Sequence, residues 1–288
     1  MRLNPLLAGL VLVAGATSAP AWAGVVVNHP DFSSTAGLTL VNNAATASTG
    51  DGKVLRLVPG ADGQSGAAYS TTPVALGHGG TFSTTFQFRF TGAGGINPAD
   101  GITFVLARAP GGLGAPGGGL GYQGVGNSVA VEFDTYNNGY DDHNSSNHVA
   151  LDTSGALNEV AFGNPYGVAT CDFGVGYSAT GCMANGDKWT ATIGYDGSKL
   201  TATVRDGTAP AQTVIADFPI NLSSLLGTNT AYVGFTGSTG AGYENEDILN
   251  WQFADTTQLA AVPEPATLGV LGLGLAGLVG VRRRKGSR

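Results

Sequence analysis

Glu132, Asp134, Asp141, Asp142, His148 and Asp152 crowd into one segment, VAVEFDTYNNGYDDHNSSNHVALD (Val129–Asp152), of a 288-residue chain only 11% charged. Asparagine and serine fill much of the space between them. Carboxylates aimed at one point repel, and each resists ionisation unless a cation compensates. Oxygen donors suit calcium, and oxygen donors joined by one imidazole suit a first-row ion such as manganese. The segment therefore reads as a pair of cation sites sharing Asp134. The plainer alternative is a solvated acidic loop.

That reading requires elements that aim the charges. Val129–Tyr136 alternates as a strand, with Ala130, Glu132, Asp134 and Tyr136 on one face and Val131, Phe133 and Thr135 on the other. HVALD forms a second strand, with His148, Ala150 and Asp152 sharing a face. Antiparallel pairing of the two would bring Glu132, Asp134 and His148 together. The connecting loop adds Asn137, Asn138, Asp141 and Asp142.

The rest of the body is also written in strands. TFSTTFQFRF places Phe82, Phe86, Phe88 and Phe90 at even positions, and KWTATIGYDGSKLTATVRD is two alternating runs joined at Asp196-Gly197, a hairpin signal. AYVGFTG and DILNWQF add two more. The best helix candidate is short, Ile220–Gly227, with Asn221 or Ser223 as its cap. Many short strands between Gly-rich turns predict an all-β sandwich or barrel.

Both ends read as processing signals. Met1–Ala23 has a charged start, an apolar run and small residues before Gly24, the pattern of a secretory signal peptide. Residues 259–265 form a linker containing Pro-Glu-Pro, and 266–288 an apolar transmembrane-helix candidate with a basic tail, Arg282–Lys285. This end resembles the bacterial PEP-CTERM sorting signal, which implies cutting by a membrane sorting protease and delivery to the cell surface or beyond. Six of the 13 basic residues lie in these ends, so the body (Gly24–Val262) carries seven basic against 19 acidic residues. Such a surface repels nucleic acid and attracts cations. Cys171 and Cys182 stand 11 apart in a chain expected in an oxidising compartment, where a disulfide is the default. Their spacing offers no second ligand pair for zinc.

Four stretches resemble the L-type, or legume-like, lectins in family order: ADGITFVLA (Ala99–Ala107), GGGLGY (Gly117–Tyr122), VAVEFDTYNN through HVALD, and YVGFTGSTGAGYENEDILNWQF (Tyr232–Phe253). The resemblance implies a concanavalin-like β-sandwich (jelly roll) over 24–258. It assigns Glu132, Asp134 and His148 to a transition metal such as Mn2+. It assigns Asp134, the Tyr136 carbonyl, Asn138 and a loop aspartate to Ca2+. The family's bridging aspartate stands five residues before the histidine, which here is His143, so Asp142 takes the role, with Asp141 the alternative. His143 reads either as an added ligand or as a solvent-facing loop histidine. For sugar, the resemblance points to Asp100 after a cis peptide, an amide of Gly118 or Gly119, and Asn138. Tyr136 or Tyr140 would stack on the ring.

Three functions follow in turn. The first is a secreted, cation-dependent lectin for extracellular or matrix glycans, with homo-oligomers one route to avidity. The second is a glycosidase of related fold, whose catalytic strand would read Glu-x-Asp-x-x-Glu. Here Asn137 occupies the third position, so the acid/base carboxylate is missing. The third is a structural surface protein that keeps the fold without sugar affinity. No Gly-x-Ser-x-Gly elbow or phosphate loop suggests other chemistry.

Overall fold

In this computed structural model, residues 24–76 and 80–257 are described. The expected signal peptide, Pro-Glu-Pro linker and apolar tail lie outside them. No described helix is long and apolar enough to cross a membrane.

Two antiparallel sheets pack face to face. One runs β14 (Gln212–Pro219), β13 (Lys199–Asp206), β12 (Trp189–Tyr195), β7 (Phe82–Gly95), β16 (Gly242–Ala254), β4 (Gly52–Val58), β3 (Ala45–Thr49), with β1 (Val25–His29) also paired to β16. The other runs β11 (Ala156–Gly163), β10 (His148–Thr153), β9 (Ser128–Asp134), β8 (Gly101–Ala107), β15 (Thr230–Ser238), β5 (Ser65–Ser70), β2 (Leu38–Asn42), with β6 (Val74–Ala75) also on β15. The neighbours β7–β16 and β8–β15 are far apart in sequence, so the sandwich rests on long-range pairing.

Period-2 alternation explains the core. Phe82, Phe86, Phe88 and Phe90 are all fully buried, as the even spacing predicts. Phe86 meets Phe133 of β9 edge-on at 5.6 Å and Phe235 of β15 at 4.9 Å. Phe235 in turn meets Trp251 at 4.9 Å. Anchoring Phe133 and Val131 in this core forces Glu132 and Asp134 to the opposite face. A one-residue slip would reverse both sets, so the apolar packing also fixes where the acids point.

The local signals hold. The hairpin forms between β12 and β13, and Asp196 accepts from the N–H groups of Ser198 and Lys199 at 2.8 and 2.7 Å. The short helix α1 (Leu222–Leu226) is capped by Asn221, whose Oδ1 accepts from Ser224 N–H at 3.0 Å.

Candidate cation and saccharide site

β9 supplies Glu132 and Asp134, and β10 pairs with it so that His148 stands opposite Asp134 and Ala150 opposite Glu132. His148 Nε2 lies 3.2 Å from Glu132 Oε1. Asp134 Oδ1 accepts from the N–H of Tyr136 at 2.7 Å, which curls the chain off the strand end. A short 3-10 turn, Tyr140–Asp142, then brings Asp142 back, and its Oδ2 accepts from the Asn138 N–H. Asp142 is buried at 8% exposure and its charge bears on Asp100, Glu132, Asp134 and His148. The side chain of Asp141 lies outside what the structure describes.

The turn is braced from behind. Cys171 and Cys182 are bonded, with Cα atoms 5.6 Å apart. The loop they close packs on Ser145–Asn147: Cys171 N–H donates to Ser146 Oγ at 2.8 Å, and Asn147 Nδ2 donates to the carbonyls of Val168 and Gly181 at 2.8 and 2.9 Å. His148 follows directly, so the disulfide loop supports the residue that enters the cluster.

The glycine-rich loop closes the other side. Ala99-Asp100 is a cis peptide, and the Asp100 N–H and C=O pair with Ser238 and Thr135 at 3.1 and 3.0 Å. A Cβ on Gly118 would sit 2.7 Å from Asn138 Nδ2, so a side chain there would displace the asparagine. A Cβ on Gly240 would sit 3.4 Å from Asp100 Oδ2, and one on Gly117 3.9 Å from it. Asp100, Asn138 and the glycine loop therefore converge. The Gly119 N–H is engaged by the Pro116 carbonyl at 3.2 Å, which makes Gly118 the better candidate amide. Tyr140, 90% exposed, lines a different cavity of about 390 Å³ with His143, Asn144, Leu157, Asn158 and Glu159.

The electrostatics are costly. Burial pushes Glu132 up to about 8 and raises Asp134 well above its ordinary range, with neighbouring carboxylates adding to the effect. Asp100 is pushed up to about 7, chiefly by burial, against the nearby Gly240 N–H. Burial lowers His148, keeping its imidazole neutral and able to ligate. Among the described residues, Lys and Arg form ion pairs at Arg56–Asp247, Arg89–Asp51 and Lys188–Asp51, all away from this cluster. Buried oxygens of Asp100 and Asp152 lack a hydrogen-bond partner. A neutral imidazole among buried, uncompensated carboxylates fits divalent cations.

Sequence reading missed two groups. Glu159 on β11 reaches the cluster, its Oε1 3.9 Å from His148 Nε2. Strict alternation would put Glu159 with Ala161, which pairs with Leu151 of the core face; the register shift between Leu151 and Thr153 and the left-handed φ of 39° at Glu159 turn it to the cluster instead. Glu244 and Glu246 of β16 are fully buried beneath Asp100: Thr135 Oγ1 donates to Glu244 at 2.7 Å, and Gly101 N–H to Glu246 at 3.0 Å.

An antiparallel sandwich whose one sheet carries an acid–imidazole cluster beside a glycine loop defines the class of legume-type lectins. The chain belongs to the legume lectin family: the legume lectin domain matches residues 26–268. It is similar to the lectin alpha chain of Lablab purpureus, 28% identical over 75% of this chain and 76% of that protein. It also matches the L-type lectin-domain containing receptor kinase VIII.1 of Arabidopsis thaliana, 27% identical over 75% of this chain but only 28% of the kinase's length. In fold it resembles the lectin from Bauhinia forficata in complex with GalNAc (24% identity, TM-score 0.63, covering 79% of this chain and 96% of that one). The metal-free lectin I-B4 of Griffonia simplicifolia is comparable (23%, 0.65, covering 79% and 98%). Lectins bind carbohydrate without catalysis, and the hydrolase reading is set aside. A PEP-CTERM protein-sorting motif matches residues 261–285, which implies export and surface sorting.

Proposed function

We propose that this is an exported lectin that uses calcium and a transition ion to hold a shallow site for glycans of an extracellular matrix or a neighbouring cell. The observation that carries it is the convergence of Asp100, Asn138 and Gly118 above buried Glu132, Asp134, Asp142 and His148. Glu132, Asp134, Asp142 and His148 would hold the transition ion. Asp134, Asp142, the Tyr136 carbonyl and Asn138 would hold calcium. When bound, the two ions supply the positive charge these carboxylates otherwise lack. Asn138 is then fixed in place by groups behind the site, and a positioned donor loses less entropy when a ligand arrives.

In this reading, Asp100 accepts hydrogen bonds from two sugar hydroxyls, while the Gly118 N–H and Asn138 amide donate to others. Tyr136, half-buried at the loop's start, offers a ring face to the apolar side of the sugar. Export would remove residues 1–23, and a sorting protease would act near the Pro-Glu-Pro.

A glycan array probed with the full-length protein tests the reading. Binding should vanish after exhaustive chelation and return when calcium and manganese are added together. Asp100→Ala should weaken binding by at least about tenfold, the scale expected when a charged hydrogen-bonding group is lost. Retained binding in the chelated protein would count decisively against cation dependence. A blank array beside a melting temperature that rises with calcium would favour a structural surface role instead.

A further inference from the structure

Glu159 is not among the residues that the family resemblance assigns, yet its geometry points at the same centre. One ligand atom each from Glu132, His148 and Glu159 lie within 4.8 Å of one another, close enough to surround a single ion. Glu159's side chain is only 4% exposed. Its two oxygens face different ways: Oε1 lies 3.9 Å from His148 Nε2, and Oε2 lies 3.2 Å from Nε2 of His143, whose side chain is 55% exposed.

The backbone is set for this direction. Glu159 holds a φ of 39°, in the left-handed region, and its N–H donates to Asp152 Oδ1 at 2.8 Å. Asn158 N–H donates to the same oxygen at 2.8 Å. Asp152 thus clamps β11 at the point where Glu159 turns inward. The Phe162 ring, three residues further along β11, flanks both imidazoles, at 4.4 Å from His143 and 5.3 Å from His148.

We propose that Glu159 is an additional direct ligand of the transition ion, and that His143 holds its outer oxygen from the solvent side. The inference rests on the cation reading above and deepens it. Glu132, Asp134, Asp142 and Glu159 bring four negative charges, which two divalent ions balance. An added carboxylate takes the coordination position a water would occupy on the side of the Tyr140–Asn158 cavity. It also shifts the donor set toward oxygen, which suits manganese better than a more nitrogen-rich set would. His143 is a positioning residue here: it orients Glu159 and does not itself reach the ion.

The test is manganese binding to the full-length protein, its Glu159→Gln and Glu159→Ser variants, and His143→Ala, with circular dichroism as the check on folding. Affinity is read by electron paramagnetic resonance, and inner-sphere water by line broadening in 17O-enriched water. In both Glu159 variants, manganese affinity should fall by about 10–100-fold. Calcium affinity should hold, and the bound manganese should gain a water. His143→Ala should weaken manganese binding only several-fold and leave the water count unchanged. An unchanged water count in both Glu159 variants would overturn the inference while leaving the cation-dependent lectin intact. Failure of the unaltered protein to bind any transition ion would instead overturn the reading on which the inference stands.

Discussion

Asp134→Asn should abolish glycan binding and lower the melting temperature of the metal-loaded protein by about 10–20 °C. Asp134 faces Gly101 and His148 at once, at the junction of β8, β9 and β10, and is the carboxylate proposed to serve both ions. An ion present at about 100 times its dissociation constant stabilises by about 2.7 kcal/mol. One kcal/mol moves the midpoint of a domain this size by about 2–4 °C. Loss of both ions therefore gives a shift near that size. The sign should reverse in chelator. Asp134 is buried with its ionisation strongly opposed by burial and by Glu132 and Asp142. Replacing it with neutral Asn relieves that repulsion, so the metal-free variant should melt above the metal-free parent. Differential scanning calorimetry of both proteins, each with and without ions, checks the crossing. A variant destabilised equally in both conditions would mean that Asp134 is a packing residue only.

The second large effect is on pH. Folding raises Asp100 to about 7, and Glu132 and Glu244 to about 8, all mainly by burial. A carboxyl with a raised folded-state pKa binds more protons when folded than when unfolded, so stability falls as pH rises. The loss begins near the unfolded value of about 4 and is complete above the folded one. Each unit costs about 1.4 kcal/mol, against a total domain stability of about 5–15 kcal/mol. The metal-free protein should therefore unfold at markedly lower denaturant at pH 8 than at pH 5. With both ions bound, Glu132 is compensated and its share of the dependence should disappear, while Asp100, which is not an ion ligand, keeps its share. Glu244, between the sheets and hydrogen-bonded to Thr135, keeps a residual slope. Equal midpoints at pH 5 and pH 8 in chelator would sink this account.

Glu132 and Asp134 were legible in sequence because alternation in β9 puts them opposite Phe133, and Phe133 has to be inside. His148 was legible for the same reason in β10. The glycine loop was legible as a loop, but its partners were not: that a Gly118 side chain would strike Asn138 depends on two segments 20 residues apart meeting in space. Tyr140 belonged by position to the same turn as Asn138, yet it lines a separate cavity with Glu159. Glu159 carried no local signal, because what turns it inward is the register shift where β11 pairs with β10. Glu244 and Glu246 carried no local signal of burial, because that burial is set by β16 sitting inside its sheet with its start roofed by the Asp100 segment.

Sequence by itself determined the all-β class, the alternation that puts Glu132 and Asp134 on one face of β9, the short capped helix near 220–227 and the β12–β13 hairpin. Each of these depends on residue type and short spacing, quantities that period-2 geometry and local hydrogen bonding convert directly into structure. Only the tertiary structure decided that Asp142 turns into the cluster, that the disulfide loop braces His148, and that Glu159 and His143 extend the site. Those outcomes depend on the register between strands and the path of long loops, which are set by burial across the whole core and carry no local signature.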